Sequence, residues 1–320
     1  MDWNEFWDTL LSDRKIKSKV NQINEADMLL YGEERIEKIC HCIYDEYGTL
    51  EHNLNEIKRH LLVDIENFAG VHLLTSRVKK IGSLLCKVII KKHAHMFDES
   101  NPYHDIDENN YNDIITDLIG IRLIISYKGK WVDLHKQIIE KFPYAEDSEY
   151  KNHKFIPHPE DGRAILAEIP KVYYAYGDDL SIYNGAKVDL NVKENGYRSA
   201  HYVVSYEKTY IEIQTRTIYD EAWSDCDHNY VYKRETHESY SALNDLSQIL
   251  NLLTNASNDL VEKMQIIFEN KMLKEHNGKY QITSRDILKM SEISDKIGNA
   301  YKLLDDFNEK IVESRGESHE

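Results

Sequence analysis

Paired cysteines are missing from this chain. Its four, Cys40, Cys42, Cys86 and Cys226, show no metal-ligand spacing, and Cys40-His41-Cys42 is too tight for a zinc hairpin. They read as free thiols used mostly in packing. Long apolar runs are missing too: nothing approaches the roughly 18 residues of a membrane span. The opening MDWNEFWDTLLSD is acidic, unlike a signal peptide. A cytoplasmic protein with no membrane partner is expected. Positive charge is in short supply, with 40 Lys and Arg against 56 Asp and Glu and a net charge of −16. What is present is a globular composition, 320 residues that are 41% hydrophobic, enough for one large or two modest domains with a real core.

Where cations are scarce, a cluster of them carries information. The run from Arg77 to Lys92 places Lys80, Ser83, Lys87 and Lys91 at three- and four-residue steps, the spacing of one helix face. Ile81, Leu84, Leu85, Val88 and Ile89 supply the apolar packing surface. A solvated basic face fits this pattern. So does a grip on polyphosphate, because cations and a hydroxyl concentrate in one turn-spaced group of an acidic chain.

A second pattern lies in Tyr210 to Lys233, YIEIQTRTIYDEAWSDCDHNYVYK. Strand alternation puts Glu212, Gln214 and Arg216 on one face, while Ile211 and Ile213 point into an apolar layer. That row suits a metal and a phosphate, and it also suits the wet face of an edge strand. A third carboxyl-bearing segment, Asp117-Leu118-Ile119-Gly120-Ile121-Arg122, opens the β-branched run IGIRLIIS. An acid at a strand mouth is either a turn residue or a fixed catalytic carboxylate. Asp117 and Glu212 together would suit Mg²⁺, which takes a few carboxylate oxygens plus substrate phosphates.

Coarse patterning surrounds these motifs with helices. Trp3, Phe6, Trp7, Leu10 and Leu11 predict an amphipathic N-terminal helix that docks an aromatic stripe. Helical spacing continues through Ile36, Ile39, Cys40 and Ile43 and again from Leu54 to Phe68. Phe97 to Asn112 reads as an exposed loop, and Trp131 to Phe142 as a crossover helix. Short β patterns fall at Ala164 to Ile169, Val172 to Tyr176, His201 to Tyr206 and Tyr210 to Gln214. From Ser239 onward the pattern is helical, with Leu243, Leu246, Ile249, Leu250 and Leu253, then Val261, Met264, Ile267 and Phe268, in register. Gly278 interrupts it, and Thr283 with Asp286 reads as a capping box before another helix. The expectation is an α+β fold, a mixed β-sheet flanked by helices with N- and C-terminal helical extensions.

The ordered motifs R-x-K-x-x-x-S-x-x-x-K (Arg77 to Lys87), D-L-x-G-x-R (Asp117 to Arg122), K-x-N-G-Y-R-S-x-H (Lys193 to His201) and E-I-Q-x-R-T (Glu212 to Thr217) resemble the RelA/SpoT synthetase domain. Ala222-Trp223, Asp227-His228 and Tyr232-Lys233 look like the tail of its small, single-domain members. The resemblance covers roughly Val63 to Lys233. It implies a nucleotidyltransferase-like fold and transfer of the β,γ-pyrophosphate of ATP to the ribose 3′-hydroxyl of GDP or GTP, giving (p)ppGpp. Carried over by motif, Arg77, Lys79, Ser83, Lys87 and Arg122 would hold ATP, and Asp117 would hold Mg²⁺. Glu212 would complete the metal site or deprotonate the acceptor. Tyr197 would stack on the acceptor base, Lys193, Asn195 and His201 would surround that base or its phosphates, and Gln214 and Arg216 would position acceptor and transferred group.

Taken without its flanking motifs, Asn195-Gly196 reads as a hairpin turn between strands. The hydrolase half of long family members uses a His-Asp pair ahead of the synthetase motifs. Here the pair His104-Asp105 lies after Lys87, in the loop, and His93 and His95 suit a helix C-terminus. Thr215 and Ala200 depart from the usual aliphatic residues, but by strand parity they face away from the site.

Three segments result: 1–62, an N-terminal helical region; 63–235, the pyrophosphotransferase; and 236–320, a helical extension expected to pack on its own domain or join subunits of a homo-oligomer. Two other readings stay open. One is the family's toxic branch, which modifies the 3′ end of tRNA; a sequence pI near 5.4 speaks against it, and Arg14, Lys15, Lys17 and Lys19 for it. The other is a degenerate nucleotide-sensing interaction module.

Overall fold

The computed structural model describes residues 2–12, 16, 33–152, 155–232, 239–274 and 284–316. β-Branched runs assemble one seven-stranded mixed sheet. Its strands are β1 (Val71–Val78), β2 (Ile119–Ile125), β3 (Ile165–Leu166), β4 (Lys171–Tyr174), β5 (Asp189–Val192), β6 (Ser199–Tyr206) and β7 (Thr209–Thr217). They lie in the order β1-β2-β7-β6-β4-β5, with β3 beside β6. β2 and β7 run parallel, whereas β1 with β2 and β6 with β7 are antiparallel. Glu207 and Lys208, both at positive φ (46° and 57°), close the β6–β7 hairpin in the geometry that matches strand twist.

Around the sheet lie α1 (Trp3–Leu11), α2 (Glu33–Ile65), α3 (Ile81–Ala94), α4 (Tyr111–Ile114), α5 (Trp131–Lys141), α6 (Asp147–Asn152), α7 (Ile218–Asp227), α8 (Ser239–Lys274) and α9 (Ser284–Gly316). One sheet face is apolar: Ile119, Ile121, Leu123, Ala200, Tyr202, Val204, Ile211 and Ile213 are all buried. They join Ile39, Ile43, Leu54 and Leu61 of α2, Leu84, Leu85 and Val88 of α3, and Leu134 and Ile138 of α5 in one continuous core. Each such aliphatic side chain contributes on the order of 1.5–3 kcal/mol by leaving water. The other face keeps its polar residues, and strand register sets them side by side.

The N-terminal helix forms as expected. Asp2 caps it by accepting from the Glu5 backbone N–H at 2.9 Å. Its aromatic stripe docks on α2, with Trp3 stacked on His41 at 4.4 Å and Phe6 against Tyr44 at 4.7 Å. The two helical patterns at Ile36 and Leu54 belong to the single helix α2, and the crossover helix is α5. None of the four cysteines forms a disulfide, and Cys40 is buried. Among the described residues no helix is long and apolar enough to cross a membrane. Arg14, Lys15, Lys17, Lys19, Lys233, Gly278 and Thr283 lie outside the described residues.

The basic series forms the expected helix, with Ser83, Lys87 and Lys91 on α3 and Lys80 as its N-cap, while Arg77 is the last residue but one of β1, paired with β2, and Lys79 sits in the link. Two expectations need correction. The Phe97 to Asn112 segment is not simply exposed, because Tyr103, Ile106 and Tyr111 are buried, and buried Lys92 donates to the Ile106 carbonyl at 2.8 Å. Asn195-Gly196 is no two-residue hairpin. β5 and β6 flank β4 on opposite sides, so their link must cross the end of β4. The helical tail forms as expected, and its buried side joins Ile249 and Ala256 to Asn251, Asn255, Asn258 and Asp259, while Leu246 and Leu253 are each 41% exposed.

Candidate functional site

The polar face of the sheet gathers the expected residues because of register. Gly120 lies opposite Glu212, Arg122 opposite Gln214, His201 opposite Gln214, and Arg77 opposite Gly120. Thr75, Arg77, Asp117, Gly120, Arg122, Glu212 and Gln214 line one cleft over this face. Parity thus brings residues more than a hundred positions apart onto one wall.

At the β1 end, Asp117 receives two ammonium groups. Lys79 Nζ donates to Oδ2 at 2.7 Å and Lys87 Nζ to Oδ1 at 2.8 Å. Burial pushes the Asp117 carboxyl up, but the Lys87 and Lys79 charges outweigh it and hold the group below the usual aspartate range. For Lys87, burial pulls down and the Asp117 charge pushes up, with a net rise. The N-terminus of α3 stands beside this pair. Its first turn holds Ser83 and no acidic residue, and its N-cap Lys80 makes no side-chain cap bond. Free backbone N–H groups there add to the positive field.

At the β7 end, a polar relay runs across the strands. Arg216 Nη2 donates to the Tyr197 hydroxyl oxygen at 2.9 Å. That hydroxyl lies 3.0 Å from His201 Nε2, and His201 Nδ1 lies 3.3 Å from Glu212 Oε1. Gln214 Nε2 donates to the other Glu212 oxygen at 2.6 Å. Burial raises the Glu212 carboxyl and so does Asp117, but the His201 and Gln214 contacts prevail and the net direction is downward. Glu212 is therefore an ionised, oriented carboxylate at neutral pH.

The remaining expected residues divide by environment. Arg216 is buried and its contacts run inward: to Glu221 Oε2 at 3.1 Å, to Ser224 Oγ at 2.9 Å, and over the Tyr197 ring at 5.3 Å. Arg122 Nη1 donates to Glu221 Oε1 at 2.7 Å from the cleft wall. Lys193 and Asn195 are exposed in the loop before β6, with Lys193 Nζ 4.8 Å from the Tyr173 ring centroid.

Sequence reasoning does not reach several neighbours. Tyr173 on β4 stands 5.9 Å from the Tyr197 ring and 4.8 Å from that of His201; the run YYAY hides which tyrosine faces the site. Glu168 is buried beside Lys171, and burial raises its carboxyl, as does nearby Glu212. Glu221 joins Arg122 to Arg216. Its position one turn into α7, just after the E-I-Q-x-R-T motif, is the one signal that points to it.

Asp117 and Glu212 fit a divalent cation by donor chemistry. Two carboxylates on one cleft, coupled closely enough that the Asp117 charge raises Glu212, suit an ion that binds one or two carboxylates plus phosphates. Among the described residues no group of three or more His, Cys, Asp and Glu forms an all-protein cage.

Residues 76–237, half of the chain, match a family model described as the region found in RelA/SpoT proteins. Among solved structures the chain is similar to small alarmone synthetase 1 from Bacillus subtilis bound to its product pppGpp. The identity is 19% and the TM-score 0.37, over 70% of this chain and 92% of that one. It is also similar to a GTP pyrophosphokinase family protein from Streptococcus pneumoniae, at 18% identity and TM-score 0.37, over 76% of this chain and 98% of that one. A third similar structure is the Bacillus subtilis synthetase bound to AMPCPP, at 12% identity and TM-score 0.34, over 73% of this chain and 98% of that one. No curated protein matches the chain.

Proposed function

Since the chain belongs to the RelA/SpoT family, we propose that it is an ATP-dependent pyrophosphokinase that transfers the β,γ-pyrophosphate of ATP to the ribose 3′-hydroxyl of GDP or GTP. One observation carries the reading. Asp117, held by Lys79 and Lys87, and the ionised Glu212, held by His201 and Gln214, line the same cleft.

The chemistry needs both halves. A bond forms between the acceptor O3′ and the β-phosphorus, the bond from that phosphorus to the α-phosphate bridging oxygen breaks, and AMP leaves. Negative charge grows on phosphoryl oxygens, so cations do most of the stabilising. Lys79, Lys87, Arg77 and Arg122 would face the triphosphate, with Ser83 and the open end of α3 beside them. Mg²⁺, when bound, would neutralise phosphate charge, and Asp117 and Glu212 are the residues that would hold it. Glu212 is also the base placed to accept the 3′-hydroxyl proton. Tyr197 would stack on the acceptor base, oriented by Arg216, while His201, Lys193, Asn195 and Gln214 complete that side.

Removing the stacking ring, Tyr197→Ala, is expected to raise the acceptor KM about 5- to 150-fold, the equivalent of roughly 1–3 kcal/mol per stacked base. ATP affinity should stay near wild type. Steady-state kinetics with each substrate varied in turn would show it, and equal changes in both constants would refute the placement of Tyr197 on the acceptor side.

The proposal itself is tested by incubating the purified protein with Mg²⁺ and γ-³²P-ATP, offering GDP, GTP and deacylated tRNA separately and together. Label in a guanosine tetra- or pentaphosphate supports the proposal. Label on tRNA moves the protein to the tRNA-modifying branch, and label in neither favours a nucleotide-sensing module.

A further inference from the structure

Beyond the residues matched by the family model, α8 presents a stripe of buried polar side chains, Asn251, Asn255, Asn258, Asp259 and Lys263. Three of the asparagines reach three different loops at one end of the sheet. Asn251 Nδ2 donates to the Gly196 carbonyl at 3.0 Å. Asn255 Nδ2 lies 3.4 Å from Asp178 Oδ1. Asn258 Oδ1 accepts from the Lys128 backbone N–H at 3.2 Å.

The first contact falls on the turn that carries Tyr197. Arg198, next to that tyrosine, donates through Nη1 to both Asn251 Oδ1 (2.8 Å) and the Gly196 carbonyl (3.0 Å). Its other nitrogens grip Asp178 at 2.8 and 3.0 Å. Asp178 in turn accepts from the Ala175 backbone N–H at 2.8 Å, just past strand β4. Gly196 stands at φ +83°, where a β-carbon would come within 2.7 Å of the Asn251 side chain. The turn and the helix therefore fit only without a side chain at position 196. A bidentate guanidinium–carboxylate pair whose Nη1 donates to an amide oxygen and a backbone carbonyl is a rigid unit.

We propose that Asn251, with Arg198 and Asp178, is a positioning residue for the acceptor: helix α8 holds the Gly196 turn so that Tyr197 stands ready for the base. This inference rests on the acceptor-side placement of Tyr197 proposed above. Acceptor recognition then depends on a helix outside the matched region, while ATP recognition at α3 does not.

The test compares full-length wild type with Asn251→Ala, Gly196→Ala and Leu253→Ala, the last on the exposed side of α8. Kinetic constants for acceptor and ATP are measured alongside thermal melting and calorimetric binding of GDP. Losing the amide bonds at 251 should weaken acceptor binding about tenfold or more, the cost of leaving buried groups unpaired. ATP constants should move less than about twofold, and Leu253→Ala should match wild type in both. Gly196→Ala, which disturbs the contact from the other side, should reproduce the acceptor-specific loss. An Asn251→Ala protein with unchanged acceptor binding overturns the inference. So does one whose acceptor and ATP constants fall together with its melting temperature, because that marks a structural role only. Wild type that binds no GDP overturns the acceptor reading, and this inference with it.

Discussion

Glu212→Gln should slow pyrophosphate transfer about 10²- to 10⁴-fold, the usual cost of removing a positioned carboxylate base. The substitution keeps size and polarity. Glutamine can still face Gln214 and His201, which now lie 2.6 and 3.3 Å from the carboxylate oxygens, so the melting temperature should change little. What is lost is the negative charge and the capacity to take a proton. ATP binding, which the proposal assigns to Lys79, Lys87 and Arg77, should survive, and single-turnover rates with prebound ATP would separate the two effects. A variant that transfers at the wild-type rate would refute the assignment. The pH dependence adds a second check. His201 and Gln214 hold the Glu212 carboxyl below the usual glutamate range despite burial. The base form therefore persists through neutral pH, and the acid limb of the wild-type rate profile should fall below that range.

How far such a site can be read in a sequence depends on whether its signal is local. Glu212, Gln214 and Arg216 share a face because a strand alternates, and Ile211 and Ile213 advertise the alternation. The parallel neighbour β2 is equally legible, because Ile119, Ile121 and Leu123 alternate with Gly120 and Arg122 before Ile124 and Ile125. Edge strands are not. β5 is four residues long, too short for the alternation of Asp189-Leu190-Asn191-Val192 to stand out, and Leu190 and Val192 are exposed rather than buried. β1 is hidden by the lysines that follow it, whose helical spacing is real only from Ile81 onward.

The asparagine stripe of α8 shows the other limit. Leucines at helical spacing predict the buried face of a helix, since apolar side chains usually lose most by staying in water. Here Asn251, Asn255 and Asn258 are inside, because their partners at positions 196, 178 and 128 supply the hydrogen bonds that make burial of an amide tolerable. No spacing within α8 encodes those distant partners. α9 packs on α8 through buried Ile293 and Ala300 and a Lys296–Asp259 ion pair, yet Leu246, Leu253, Met264 and Phe268 stay exposed. The helical extension thus buries polar as well as apolar residues against its own domain and leaves several large apolar ones outward.

Asp117→Asn should be the most destabilising single change in the cleft. The carboxylate is the shared partner of two ammonium groups, and its removal leaves both facing a neutral amide. Breaking a buried pair costs about 3–5 kcal/mol, and partial exposure reduces that to roughly 2–3. Side-chain exposures of 18% for Asp117, 10% for Lys79 and 22% for Lys87 set the discount. The sign of the pH effect follows from the direction of each shift. Asp117 is held below its unfolded value, so its contribution is full above the ordinary aspartate range and is lost as pH falls through the depressed value. Lys87 is raised, so its share is full at neutral pH and is lost only as pH rises through its elevated value. Urea midpoints of wild type and variant should therefore differ most near pH 7 and converge as the solution is acidified. Midpoints that coincide at pH 7 would show that the two lysines gain nothing from Asp117. The same geometry explains how the site can serve a polyanion. Lys79 and Lys87 are held in place by Asp117, and a triphosphate entering the cleft would offer them oxygens of the same chemistry.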